Sequence, residues 1–150
     1  MFKAAVFGST SYLGKKFIQV VGDVEPFSKQ TGFDLHFPSV DVSLLQQKKV
    51  THALLFAAMT NVRACEEMQE ESWQCNVNGP LEWARQIHKG GMTPVLFSSD
   101  YVFDGASGDY EEDSATYPLN IYGSHKKALE LGLNEVCGEN YLLIRLSKVF

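Results

Sequence analysis

Cysteine is scarce in this 150-residue sequence: Cys65, Cys75 and Cys137 are the only three, and none forms a CxxC pair. That spacing excludes a disulfide scaffold and a paired-cysteine zinc site, so the thiols are expected to be reduced. His36, His52 and His88 show no metal-ligand spacing either, and no metal is expected. Positive charge is also short. Thirteen Lys and Arg face 18 Asp and Glu, a net charge of −5, and no basic block occurs. Nucleic acid and anionic membranes are therefore not expected partners. No apolar run reaches the roughly 20 residues that span a bilayer. Internal repeats and low-complexity segments are missing, which excludes a solenoid. With no stretch that reads as a secretory signal, the expected location is the cytoplasm.

What is present has the balance of a soluble globular domain, 45% apolar and 21% charged. Lys3–Phe7, Ala53–Ala57, Pro94–Ser98 and Tyr141–Leu146 are near-continuous apolar runs of strand length, the pattern of strands buried on both faces. Val24–Ser28 and Asp34–Phe37 are weaker strand candidates. Helical spacing covers Tyr12–Val21, Ser43–Lys48, roughly Cys65–His88, and Tyr122–Val136. Strands alternating with helices predict an α/β fold of Rossmann type, a doubly wound parallel sheet with helices on both faces. Ligands in such sheets lie beyond the carboxyl ends of the strands. FGSTSYLG, AAMTN and SSDYVFDG all fall on that rim, and the loop Phe103–Asn120 is long enough to be functional.

FGSTSYLG follows the first strand and opens the first helix. Gly8 suits the tight reversal, and Gly14 suits close packing of helix on sheet. Between them, where backbone approaches a pyrophosphate near a helix N-terminus, stands Ser11. Its Cβ takes room and its hydroxyl can serve phosphate. The plain alternative is a capped turn, with Ser9, Thr10 or Ser11 as N-cap.

Two YxxxK patterns occur. Tyr12–Lys16 belongs to the helix that begins at the glycine turn. Tyr122–Lys126 follows the long loop, 23 residues after Ser99. A Tyr and Lys spaced i, i+4 share a helix face, and an ammonium favours the phenolate and lowers the phenol pKa. Tyr122 is then fit to exchange a proton with a hydroxyl or carbonyl oxygen that Ser99 holds. Gly79–Pro80 interrupts the preceding helical run. If the helix continues, Pro80 leaves the Asn76 carbonyl without its helical partner and able to hold a relay water; otherwise two helices break there. His125 reads as solvated or loop-packing, and Trp73 and Trp83 as packing residues.

The segments SSDYVFDG, YEEDSATYPLNIYGSHKKALE and YLLIRLSKVF resemble the extended short-chain dehydrogenase/reductase superfamily. VFDG in that setting is most similar to dTDP-4-dehydrorhamnose reductases and related sugar-nucleotide enzymes, and AAMTNVRACE and CNVNGPLEWA match the same branch. The resemblance implies an NAD(P)-binding Rossmann domain with Ser99, Tyr122, Lys126 and the assisting Asn76 as catalytic residues. It further implies cofactor contacts at Gly8, Thr10, Ser11, Tyr12, Leu13 and Gly14. Asp41 and Val42 match the segment on adenine, and Ala57, Ala58 and Met59 the strand end beside the cofactor. Tyr122 and Lys126 would also touch the cofactor. Lys29 would meet a 2′-phosphate, which tips the expected cofactor toward NADP over NAD.

The implied function is an NAD(P)-dependent oxidoreductase of a nucleotide-linked sugar, with Tyr122 as acid/base and Lys126 lowering its pKa. A 4-epimerase or dehydratase would use the same residues. A non-catalytic NAD(P)-binding regulatory subunit, resembling that of methionine adenosyltransferase, is the alternative from another class. The superfamily turn GxxGxxG has Ser11 at its middle glycine, and Leu55 stands where the family often has Asn. Related enzymes continue for about another domain. Residues 1–150 are thus expected to be the N-terminal part of a longer protein whose C-terminal substrate domain is absent from this chain. The small-molecule partner is expected to be a nucleotide sugar, and the assembly a homodimer.

Overall fold

The computed structural model describes residues 2–147. Ala4–Phe7 (β1) carries no polar side chain and is buried throughout. Parallel to it run Val24–Phe27 (β2) on one side and His52–Leu55 (β3) on the other, followed outward by Thr93–Ser99 (β4) and Leu142–Leu146 (β5). The order β2-β1-β3-β4-β5 reverses direction between β1 and β3, which opens a crevice above their carboxyl ends. Register brings the functional ends level: Phe7 lies opposite Phe27 and Leu55, and Ser99 opposite Leu146.

Alternation along β1 divides the core. Ala5 and Phe7 face Leu45, Trp83, Ile87 and Leu129, contributed by Val42–Gln47 (α2), Gly79–Lys89 (α5) and Ile121–Cys137 (α6). Ala4 faces the other way, with Leu54, Val95 and Phe17 of Tyr12–Val21 (α1). Helices therefore cover both faces, as the alternating pattern predicts.

Three expectations are corrected. Asp34–Phe37 is not a strand: Asp34 Oδ1 accepts the His36 N–H at 3.0 Å, a local turn, while Phe33 and Leu35 insert into the core. This leaves β2 as a sheet edge, and the edge tolerates Pro26, which lacks an N–H. The run Tyr141–Leu146 is not buried on both faces, because β5 ends the sheet among the described residues and Leu142 and Ile144 are exposed. The pattern Cys65–His88 divides into Val62–Glu67 (α3), Gln69–Trp73 (α4), a wide turn at Gln74–Asn78, and α5.

That wide turn decides what happens at Pro80. The Gly79 N–H reaches back five residues to the Gln74 carbonyl, so the helix passes through the proline by widening one turn. The segment Phe103–Asn120 is irregular throughout, as its composition predicts. Positions 148–150, the end of YLLIRLSKVF, lie outside the described residues.

Candidate active site

The crevice holds two adjoining cavities. The first, about 440 Å³, is bordered by Gly8, Thr10, Ser11, Lys29 and Met59. The second, about 310 Å³, is bordered by Leu13, Asn76, Ser99, Tyr122 and Lys126. Ala57 and Ala58 line both and join them into one groove. A third space of about 620 Å³ opens on the far side of Ser99 and Tyr122, walled by Thr60, Asp104 and Tyr110.

The glycine turn is built for close approach. Gly8 sits at φ +82°, and a Cβ there would lie 2.7 Å from the Ala57 backbone nitrogen. Ser11 is the N-cap of α1, and its Oγ accepts the Gly14 N–H at 3.1 Å. Its φ is −67°, so the middle of the turn needs no left-handed residue and the Cβ is unstrained. The hydroxyl proton stays available to an anion, so capping and phosphate contact are compatible roles. Tyr12 is exposed and Gly14 packs beneath the turn, and neither is among the residues lining the two cavities.

Asp41 and Val42 are not brought to the groove. Asp41 caps α2 by accepting the Leu44 N–H at 2.9 Å. The groove wall at that end is made instead by Ser28, Asp34, Leu35 and His36. Their strand-like spacing does not mark them as a groove wall; the place of Asp34, Leu35 and His36 follows from the turn that replaces the expected strand. Ser28 and Lys29 follow β2 directly, and Lys29 Nζ lies 3.9 Å from Asp34 Oδ2. Thr60 was also not legible in advance, since nothing in AAMTN distinguishes it from its neighbours.

Ser99 ends β4 and caps the short turn Asp100–Val102, with its Oγ 3.1 Å from Asp100 Oδ1. Tyr122 enters from the first turn of α6, is buried, and lines the same cavity as Ser99. Lys126, one turn later, is buried and donates from Nζ to the Phe97 carbonyl at 2.9 Å. It lies 5.6 Å from the Tyr122 ring centroid. Burial lowers the Lys126 pKa to about 8.

The expected depression of the Tyr122 pKa is reversed. Burial pushes the phenol above its ordinary value, the polar Ser99 side chain offsets part of this, and Lys126 turns its ammonium to the Phe97 carbonyl. Asn76 is fully buried, and both ends of its side-chain amide bind the Met59 backbone at 2.9 Å. His125 is not solvated: its ring is buried and meets Trp73 edge-on at 5.4 Å. Trp83 is core, as expected, and Trp73 is partly exposed.

A five-stranded parallel sheet with Ser, Tyr and Lys gathered at its carboxyl rim defines a Rossmann-type domain of the extended short-chain dehydrogenase/reductase class. The family model described as the RmlD substrate binding domain matches residues 3–150, and the chain belongs to that family. dTDP-4-dehydrorhamnose reductase of Salmonella typhimurium is 29% identical over 97% of this chain and 50% of its own length. The crystal structure of dTDP-4-dehydrorhamnose reductase from Bacillus anthracis in complex with NADP superposes with a TM-score of 0.86 at 26% identity, covering 100% of this chain and 55% of that one. Methionine adenosyltransferase 2 subunit beta from Xenopus tropicalis and Xenopus laevis matches over 84 residues, 56% of this chain and 25% of theirs, at 36% and 59% identity. The chain spans about half the length of the curated reductases it matches.

Proposed function

We propose that this domain binds NADP or NAD along the groove and that the protein reduces the keto group of a nucleotide-linked sugar. The observation that carries this is the meeting of Ser99, Tyr122 and Lys126 in one cavity that continues, through Ala57 and Ala58, to the glycine turn. The turn fits a dinucleotide. A Cβ at Gly8 would strike backbone, and the N-terminus of α1 beside Thr10 and Ser11 suits a phosphate. Lys29 at the same cavity supports NADP over NAD through a 2′-phosphate.

A nicotinamide cofactor, held along the groove beside Gly8, Thr10 and Ser11, would supply the hydride. Tyr122 donates a proton to the keto oxygen, which Ser99 orients by a hydrogen bond. The raised Tyr122 pKa keeps the phenol protonated at neutral pH, the state a proton donor needs in the reducing direction. Once the proton has left, the Lys126 ammonium beside the ring stabilises the phenolate. Asn76 contributes by fixing the Met59 backbone at the groove.

Fluorescence titration of the full-length protein with NADPH and NADH, followed by turnover of Tyr122→Phe, tests the reading. Micromolar NADPH binding, kept in the variant while turnover falls by about 10²-fold or more, is the expected result. Absence of cofactor binding would sink the proposal. A second reading, a non-catalytic NAD(P)-binding regulatory subunit, is favoured by the match to methionine adenosyltransferase 2 subunit beta. It predicts cofactor binding without turnover in the unmodified protein.

A further inference from the structure

Arg145 lies on β5, outside the Ser–Tyr–Lys cluster, yet three separate parts of the molecule converge on its guanidinium. Nε and Nη2 donate to the two carboxylate oxygens of Glu130 on α6 at 2.9 and 2.8 Å. Nη1 donates to the Glu112 backbone carbonyl at 2.9 Å. The guanidinium carbon also lies 5.1 Å from the Phe103 ring centroid. Phe103 in turn stacks on Tyr110, with ring centroids 4.3 Å apart and planes 8° from parallel. The Tyr110 hydroxyl hydrogen-bonds Asp104, and both residues wall the space beside Ser99 and Tyr122.

The long loop has no helix or strand of its own, so its shape depends on such contacts. A planar guanidinium is suited to hold a carboxylate, a carbonyl and an aromatic face together, because its donors lie in one plane while its faces remain free to stack. We propose that Arg145 is a positioning residue that fixes the Phe103–Asp104–Tyr110 wall against Tyr122 and thereby shapes the pocket for the sugar. This rests on the nucleotide-sugar reading above for the identity of the ligand, but not for the order of the loop.

The test is Arg145→Lys in the full-length protein, which keeps the charge and loses the fork and the flat face. Two measurements separate the layers: cleavage by a glutamate-specific protease at Glu111 and Glu112, and calorimetric binding of dTDP-glucose in the presence of NADPH. The expected result is cleavage about tenfold faster and dTDP-glucose binding about tenfold weaker, with NADPH affinity unchanged. Phe103→Leu, which leaves the Arg145–Glu130 pair intact, should loosen the loop in the same direction. Arg63→Lys, at an exposed ion pair on α3, should change nothing. Unchanged cleavage in Arg145→Lys overturns the proposal. So does a loosened loop with undiminished dTDP-glucose binding. If the unmodified protein does not bind dTDP-glucose, the nucleotide-sugar reading fails, and the cleavage rates alone decide the role of Arg145.

Discussion

Asn76 grips the backbone of Met59 from both sides: Oδ1 accepts the Met59 N–H, and Nδ2 donates to the Met59 carbonyl, each at 2.9 Å. A residue placed in the wide turn before Pro80 thus holds the segment after β3 that borders the groove. Asn76→Ala leaves two backbone groups without these partners, which costs about 2–4 kcal/mol. Asn76→Asp should be no better, since a carboxylate would face the Met59 carbonyl. Urea unfolding checks both, and a loss under about 0.5 kcal/mol for alanine would contradict the role.

Ser11 caps α1 and adopts an ordinary φ. Ser11→Ala should destabilise the protein by about 1 kcal/mol and Ser11→Gly by only a few tenths. Because the serine Cβ is unstrained, glycine at this position should not tighten NADPH binding. A several-fold gain in affinity for Ser11→Gly would show that the side chain obstructs the cofactor.

Lys126 links stability to alkaline pH. Its folded pKa, about 8, lies below the ordinary 10.5. Between those values the unfolded chain binds a proton that the folded chain lacks, so the Lys126 contribution rises with pH across that window. The charged form is penalised fully below pH 8, by about 3 kcal/mol as an order of magnitude. The unfolding free energy of the unmodified protein, minus that of Lys126→Met, should rise from pH 8 to pH 10.5. A flat difference would contradict the buried placement.

His125 acts at the acid end. Burial lowers its pKa below 6.5, with the nearby Lys126 acting in the same direction and Glu66 opposing. Below pH 6.5 the unfolded chain takes up a proton sooner than the folded one, so stability falls as pH falls. Its Nδ1 has no hydrogen-bond partner among the described residues. His125→Leu should therefore be near neutral at pH 8 and should flatten the acid decline, as thermal melts from pH 5 to 8 would read. An equally steep decline in the variant would place the titrating group elsewhere.

The periodic elements were legible because burial on a sheet or one helix face imposes a chemical rhythm on the chain. β1, α1 and α6 fall within a residue or so of their predicted bounds. Asp34–Phe37 was not legible: Leu35 satisfies the core as readily from a turn as from a strand, and the choice rests on the His36 N–H donated to the Asp34 side chain. Pro80 was ambiguous for a related reason, since a proline can break a helix or be absorbed by a wider turn.

Residue types and spacing by themselves determined the parallel α/β sheet, the glycine turn, and the membership of Ser99, Tyr122 and Lys126 in one constellation. Those features depend on local conformation and on which side chains can do the chemistry. Tertiary structure alone decided that burial raises the Tyr122 pKa, that Lys126 turns its ammonium to Phe97, and that Asn76 serves the Met59 backbone. Each depends on which groups face one another across elements far apart in the chain, where desolvation and hydrogen-bond partners are set by packing and leave no mark on spacing.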